Sequence, residues 1–110
     1  MIQSVNDLKV YKKAKQLAMQ IFELSKSFPN EEKYSLTDQI IRSSRSVSAN
    51  IREGYAKRKY KNVFIRHLVD SLGSSEETRE WIDYAFNCSY ISEKKKNELD
   101  QAYDEFNAML

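Results

Sequence analysis

Cationic side chains are concentrated in the middle of this 110-residue chain. Residues 42–66 contain eight arginines and lysines but only one acidic residue, Glu53, so this window has a net charge of +7, whereas the whole chain has +2. The cationic positions that we single out are Arg42, Arg45, Arg52, Lys57, Arg58, Lys59 and Lys61. A basic surface of this density attracts a phosphate backbone or the acidic surface of another subunit. The first chemistry that the sequence indicates is therefore electrostatic binding of an anionic partner.

Catalytic chemistry has little support in the sequence. His67 is the only histidine, and it lacks the paired spacing that metal-binding histidines, cysteines or carboxylates show. Cys88 is the only cysteine, which excludes an intrachain disulfide and a thiolate metal cluster. Neither a glycine-rich phosphate loop nor a strained nucleophile turn is present. We therefore expect a protein that is not an enzyme and that needs no metal and no cofactor.

The elements that position the cationic residues are predicted to be helices. The chain has only two glycines and one proline, too few for many strands and tight turns. Apolar residues recur at three- and four-residue steps in four segments, at about 7–27, 35–56, 62–88 and 92–108. Short connections favour antiparallel neighbours, so the sequence predicts an all-α fold, an antiparallel up-down-up-down four-helix bundle. A chain of this length is expected to form one domain over residues 1–110.

Neither a membrane span nor a signal peptide is expected. No stretch approaches the roughly 18 to 20 uninterrupted apolar residues that cross a bilayer. The first ten residues lack an apolar run followed by a small-residue cleavage site. These features favour a soluble, cytoplasmic protein without a membrane partner.

Aromatic residues on the third predicted helix indicate a contact with another subunit. The predicted buried stripe of this helix consists of Phe64, Leu68, Leu72, Ser75, Ile82 and Phe86. At 100° per residue, Trp81, Tyr84 and Cys88 lie far from that stripe. Aromatic residues of this kind are enriched at the centres of interfaces, although a half-buried local cluster is the alternative.

Other positions extend this predicted interface. On the second helix, Ile41, Arg45 and Arg52 belong to a row turned away from the predicted core, which is either an exposed cationic row or an ordinary solvated face. Gly54 and Gly73 interrupt helices, where glycine costs about 1 kcal/mol relative to alanine. We expect Gly73 to let another backbone approach closely, with a tolerated defect as the alternative. The predicted subunit interface consists of Ile41, Gly73, Trp81, Tyr84 and Cys88.

Part of the second helix resembles a family signature. The matching residues are Gln39, Arg42, Ser46, Val47, Asn50, Ile51, Glu53 and Gly54. They are similar to the pattern QxxRxxxSVxxNIxEG of four-helix bundle proteins encoded in intervening sequences of large-subunit ribosomal RNA genes. That family also resembles the accessory variability determinant of diversity-generating retroelements. The resemblance extends to residues 7–14, 28–37 and 73–77, and thus covers most of the chain.

The resemblance implies a four-helix bundle that assembles as a ring-like homopentamer and binds nucleic acid. In the retroelement branch it also implies association with a reverse transcriptase. The chain departs from the family at Arg52, where alanine is frequent, and at Ser35, where glycine is usual. It also departs at Ser71, Ser75 and Thr78, where apolar residues or alanine are expected. These departures raise the charge of the second helix and make the buried face of the third more polar.

Two functions remain open at this level. In the first, a homo-oligomer, expected to be a pentamer, binds DNA or RNA because its cationic residues neutralise phosphates without reading bases. In the second, the protein is an oligomeric interaction scaffold without nucleic-acid binding. In that case the same cations meet acidic residues such as Glu76, Glu77 and Glu80 of a neighbouring subunit.

Overall fold

The computed structural model describes residues 2–110 and is built from four α-helices. These are α1 Lys9–Ser25, α2 Leu36–Ala56, α3 Lys61–Asn87 and α4 Glu93–Met109, with short 3₁₀ helices at Val5–Asp7 and Asn30–Glu32. Helices α1 and α3 each pack against both α2 and α4. The predicted all-α, up-down-up-down four-helix bundle is therefore confirmed.

Local hydrogen bonds fix where the helices begin. Helix α4 starts after Ser92, whose hydroxyl oxygen accepts the backbone N–H of Lys95 at 3.1 Å, as expected for an N-cap. Helix α2 also starts after a serine, Ser35, but this side chain makes no capping hydrogen bond. The carboxylate of Glu32 instead accepts the N–H of Leu36 at 3.3 Å. The first turn of α2 is thus capped by the preceding 3₁₀ helix.

Apolar side chains of all four helices form one core. Its most deeply buried large members are Leu17, Ile21, Ile40, Ile51, Ile82, Leu99, Tyr103 and Phe106. The prediction for α3 was wrong at Leu72, which is 39% exposed, while the adjacent Ser71 is fully buried. Ser75 of α3 donates a hydrogen bond to Asn107 Oδ1 at 2.6 Å, and α4 ends two residues later at Met109. The first half of α3 therefore keeps apolar side chains that α4 does not cover.

Small hydroxyl residues fill the contact between α2 and α3. The Ser71 hydroxyl donates to the backbone oxygen of Val47 at 2.8 Å. Thr78 Oγ1 lies 2.9 Å from Ser43 Oγ and 2.9 Å from the backbone oxygen of Ser74. Because buried polar groups must be hydrogen-bonded to avoid a desolvation penalty, these serines and this threonine are compatible with a tight interface. The departures from apolar residues on α3 thus form a satisfied polar layer between two helices.

Gly54 is the point at which α3 comes closest to α2. A Cβ atom at this position would lie 2.8 Å from His67 Cβ and 3.3 Å from Phe64 Cδ1. The close approach at Gly54 is thus a contact within the chain. Gly73 differs, because a Cβ atom there would meet nothing within 4 Å. The close helix crossing expected at Gly73 does not occur within the chain.

His67 connects this crossing to polar residues of α2. Its Nε2 lies 3.4 Å from Lys57 Nζ, and its Nδ1 lies 3.3 Å from Asn50 Oδ1. An ammonium group can only donate, so Nε2 accepts and Nδ1 carries the hydrogen that is donated to Asn50. The Asn50 amide nitrogen in turn donates to the backbone oxygen of Ser46 at 3.0 Å. This chain of hydrogen bonds holds the middle of α2 in register with α3.

The two glycines offer a matched test of this packing. The free energy of unfolding of the Gly54→Ala variant should be lower than that of Gly73→Ala by about 1 to 3 kcal/mol, the usual cost of overpacking. Both changes gain the same helix propensity, so the difference reports the contact with His67 Cβ. Denaturant unfolding followed by circular dichroism measures it. Equal free energies of unfolding for the two variants would show that α3 moves away from α2 at this crossing without a loss of stability.

Tyr103 provides a second test, because its hydroxyl is buried and has no hydrogen-bond partner among residues 2–110. Tyr103→Phe should raise the free energy of unfolding by about 1 kcal/mol, since an unpaired buried polar group is removed. Burial also raises the pKa of Tyr103 above its ordinary value of 10.0. The wild type should therefore lose stability as the pH rises beyond that value, because only the unfolded chain ionises there. The advantage of the phenylalanine variant should grow in the same range.

Candidate nucleic-acid interface

The cationic residues of the second helix and the following turn lie on three separate surfaces. All seven positions that the sequence singled out are exposed. Arg45 and Arg52 lie on the side of α2 that faces α1, and Arg42 lies beside the α2–α3 contact. The remaining cations surround the connection between α2 and α3. The structure therefore brings Arg45 and Arg52 together but separates them from the rest.

Arg45 and Arg52 are both held by aromatic residues of α1. The Arg45 guanidinium lies 5.4 Å from the ring centroid of Phe22. Arg52 Nη1 donates a hydrogen bond to the Tyr11 hydroxyl oxygen at 3.3 Å. The two arginines are seven residues apart, which corresponds to about 10 Å along the helix axis. Contact with α1 thus fixes two guanidinium groups at a defined spacing on one face.

Two lysines join the same face, Lys15 within α1 and Lys26 directly after it, and the charge distribution along the sequence did not reveal them. Lys15 Nζ lies 5.6 Å from the Tyr11 ring, and Lys26 Nζ lies 4.9 Å from the Phe22 ring. The spacing of Tyr11 and Phe22, eleven residues or about three turns, is the signal that could have found them, because it places both rings on one side of α1. We call the surface formed by Lys15, Lys26, Arg45 and Arg52 the cationic face.

Most of the charge on the cationic face is not neutralised within the chain. Among residues 2–110, no carboxylate lies within 4.0 Å of the charged groups of Lys15, Arg45 or Arg52. Lys26 is paired with Glu23 at 3.1 Å. Lys15, Arg45 and Arg52 therefore remain available to an anionic partner, and contacts between α1 and α2 position them.

The connection between α2 and α3 presents a second basic surface. Arg58 folds back, with its guanidinium 4.0 Å from the Tyr55 ring and a hydrogen bond to the Tyr55 backbone oxygen at 2.8 Å. Lys59 and Lys61 are exposed, and neither has a carboxylate within 4.0 Å in the described part of the chain. Lys61 is also the first residue of α3, where the helix dipole adds positive potential. We call Lys59 and Lys61 the turn lysines.

Arg42 lies in a different environment. Its guanidinium is 3.7 Å from the carboxylate of Asp38. It lines a groove of about 390 Å³ in which Gln39, Ser46 and Ser74 are neighbours and Glu77 is an acidic wall. A carboxylate on each side weakens the attraction of Arg42 for a phosphate. The structure therefore does not place this predicted binding residue on the cationic face.

Three residues of the predicted subunit interface share one groove. Trp81, Tyr84 and Cys88 line a groove of about 390 Å³ together with Tyr34 and Gln39. The rings of Trp81 and Tyr84 lie 5.8 Å apart, and Tyr84 is 50% exposed. Because it is lined by these rings, we call it the aromatic groove.

Ile41 and Gly73, the other two residues of the predicted interface, are not part of the aromatic groove. Ile41 was expected to point away from the core, but it is half-buried against it, because α1 packs on that side of α2. Gly73 is exposed on α3. The structure thus gathers three of the five predicted interface residues.

The acidic half of the chain is partly neutralised between α3 and α4. Arg79 contacts Asp104 at 2.7 Å, Asp100 at 3.7 Å and Glu76 at 3.4 Å. Lys96 bridges Asp100 at 2.7 Å and Asp83 at 3.5 Å. These pairs tie α4 to α3.

No group of three or more histidine, cysteine or carboxylate side chains in residues 2–110 could hold a metal ion. No helix in that part of the chain is long and apolar enough to cross a membrane.

Comparison with known proteins places this geometry in a family. Residues 6–110 match the family model described as 23S rRNA-intervening sequence protein. A crystal structure of a protein of unknown function from the S23 ribosomal protein family of Bacteroides thetaiotaomicron is similar, with 30% sequence identity and a TM-score of 0.81. The alignment covers 91% of this chain and 93% of that one. A search of curated proteins found no match. The family model spans nearly the whole chain, and the chain therefore belongs to the 23S rRNA-intervening sequence protein family.

Proposed function

We propose that this protein is a homo-oligomer, a pentamer, that binds DNA or RNA through the cationic face without reading the base sequence, and that it is not an enzyme. One observation carries this proposal. Lys15, Arg45 and Arg52 converge on one α1–α2 surface and have no carboxylate within 4.0 Å among the described residues. A fixed group of uncompensated cations is what a phosphate backbone requires.

The spacing and surroundings of the arginines favour phosphates over bases. Arg45 and Arg52 are about 10 Å apart along α2. This distance is close to the length of three nucleotides of one strand, at about 3.4 Å per nucleotide. Tyr11 is only 4% exposed, so its ring cannot stack on a base. Without an exposed stacking platform or a helix that presents polar side chains to base edges, binding is expected to tolerate many sequences.

Assembly into a homo-oligomer would strengthen such binding. One chain has a net charge of only +2, and three or four phosphate contacts give weak affinity at physiological salt. Several cationic faces on one particle would engage one strand with a raised effective concentration. A reverse transcriptase, which the resemblance of the sequence to the retroelement branch implies, is a further partner in this proposal.

An interaction scaffold is the second candidate. The observation that favours it is that the turn lysines and the carboxylate of Glu77 are all without an oppositely charged group within 4.0 Å in residues 2–110. Opposite charges left unpaired on one chain can pair between copies. In this candidate the oligomer forms but holds no nucleic acid.

Reversing the two arginines tests nucleic-acid binding. Arg45→Glu with Arg52→Glu should abolish binding at low salt, because both replacements turn attraction for phosphates into repulsion. For the wild type, the logarithm of the association constant should fall with the logarithm of salt concentration. The slope should be about −3 for each cationic face that engages the strand, as for three phosphate contacts per face. Fluorescence anisotropy with unrelated DNA and RNA oligonucleotides measures both effects.

A control variant separates the cationic face from net charge. Lys9→Glu with Lys94→Glu makes the same change in net charge at two exposed positions, in the first turns of α1 and α4. The helix dipole stabilises carboxylates at these positions. It should retain most of the wild-type affinity. Equal loss in both variants would assign binding to overall charge, and no wild-type binding at low salt would favour the scaffold.

The oligomer is tested by mass. Light scattering coupled to size exclusion should give several times the chain mass of 13.0 kDa. Gly73→Leu should lower that mass without loss of helicity if another copy lies against this position, because nothing within the chain is near it. An unchanged mass would remove Gly73 from the interface, and a wild-type monomer at micromolar concentration would refute the oligomer.

A further inference from the structure

The aromatic groove has the chemistry of a receptor for an organic cation. Tyr34, Trp81 and Tyr84 supply rings, and Tyr34 and Tyr84 are 85% and 50% exposed. Lys33 already lies 5.4 Å from the Tyr34 ring, whereas no cation of the described chain lies over Trp81 or Tyr84. The face of an aromatic ring attracts an ammonium or guanidinium group, most strongly where solvent is partly excluded. Two rings of the groove are therefore free for a cation from outside the chain.

Glu32 gives the aromatic groove a negative wall, and Glu77 lies beside the groove in contact with Trp81. Glu32 accepts hydrogen bonds from the Tyr90 hydroxyl at 2.8 Å and from the Leu36 N–H. Glu77 accepts the indole N–H of Trp81 at 3.1 Å. These neutral donors hold the carboxylates in place without cancelling their charge, and no cation lies within 4.0 Å of either one in residues 2–110.

The hydrogen bond from Tyr90 to Glu32 raises the pKa of that phenol to about 12.

The size of the aromatic groove suits one long side chain. Its volume of about 390 Å³ is near the lower end of the range for ligand sites, roughly 300 to 1,000 Å³. A helix could not enter such a space, but a lysine that projects from a turn could. The ammonium would lie between the rings and the carboxylates, while its aliphatic stem would cover apolar ring surface.

The turn lysines of this chain fit that description, but they cannot reach their own groove. Trp81 follows Lys61 by twenty residues of one helix, which is about 30 Å. The turn and the groove therefore occupy opposite ends of the α2–α3 pair. The cations of the other basic surface are less free, since Arg45 and Arg52 are held against α1.

We infer that the aromatic groove binds a turn lysine, Lys59 or Lys61, from a second copy of this chain. Charge complementarity carries this assignment, because the groove is lined by the Glu32 carboxylate and the turn lysines lie at the opposite end of the α2–α3 pair. None of these groups has an oppositely charged partner within 4.0 Å in residues 2–110. The contact joins two different surfaces, so a pair of copies still has one free groove and one free turn. Further copies can add to these, and such head-to-tail contacts close into a ring or continue as a filament. The inference rests on the proposed homo-oligomer and names the segments that build it.

Two variants and their mixture test the contact. The groove variant, Glu77→Gln with Tyr84→Ala, and the turn variant, Lys59→Glu with Lys61→Glu, should each have a mass near 13.0 kDa in light scattering. Mixed in equal amounts, they should form a particle of twice the chain mass, because one intact groove meets one intact turn. Lys9→Glu with Lys94→Glu, which makes the same change in charge as the turn variant, should keep the wild-type mass.

A peptide of residues 55–63 provides a readout that does not depend on assembly. Trp81 is the only tryptophan, so its emission reports on the groove. The peptide should shift the emission of the turn variant, whose groove is empty, but not that of the groove variant. Replacement of Lys59 and Lys61 in the peptide by glutamine should remove the shift.

The outcomes separate this inference from the proposed function. If both variants keep the wild-type mass, the turn–groove contact is wrong while the homo-oligomer stands. If the wild type is itself a monomer, the oligomer fails and this inference fails with it. A shift that an unrelated basic peptide of equal charge also produces would assign the groove to a basic segment of another protein.

Discussion

The close packing of α2 against α3 is the constraint on which the other features depend. At Gly54 a single added carbon would lie 2.8 Å from His67 Cβ, and farther along the pair the small residues Ser71 and Thr78 keep the separation short. Two long helices in such a contact form a stiff pair, to which the shorter α1 and α4 are added. The pair places its connecting turn at one end and the aromatic groove at the other. Its length is therefore what prevents the turn lysines from pairing with the groove of their own chain.

The same packing decides how the positive charge is distributed. One side of α2 is occupied by α3 and the opposite side by α1, so the arginines of α2 are divided between two environments. Arg42 lies close to Asp38. Arg45 lies over the Phe22 ring and Arg52 donates a hydrogen bond to the Tyr11 hydroxyl, and these contacts with α1 orient both arginines without neutralising them. A charge cluster in the sequence thus becomes two basic surfaces with different mobility. The fixed one suits an extended polyanion, and the projecting one suits a recessed acidic site.

Much of the fold could be predicted, because helical periodicity is a local property. The four predicted segments agree with α1 to α4 within a few residues at each end. The errors fall where a neighbouring helix decides. Leu72 is exposed because α4 stops before it, and Ile41 is half-buried because α1 packs against it. A single-helix projection contains neither fact, since it cannot say which neighbours are present.

The candidate surfaces were harder to predict for the same reason. Charge density indicated Arg45 and Arg52, but Lys15 joins them only because Tyr11 lies between α1 and α2. The groove residues Trp81, Tyr84 and Cys88 were identified from one helix, whereas its acidic wall at Glu32 comes from a distant 3₁₀ segment. Contacts across the bundle created both surfaces, and spacing within one helix does not encode such contacts.

The family signature and the cationic face use different residues of the same helix. Ser46, Asn50 and Gly54 act through α3, by hydrogen bonds or by the absence of a side chain. Their arrangement is needed for the bundle whatever the protein binds. Arg52, in contrast, stands where alanine is frequent in the proteins that the chain resembles, and it supplies one of the three uncompensated cations. The signature therefore specifies the scaffold, while the proposed phosphate binding would depend on positions that the signature leaves free.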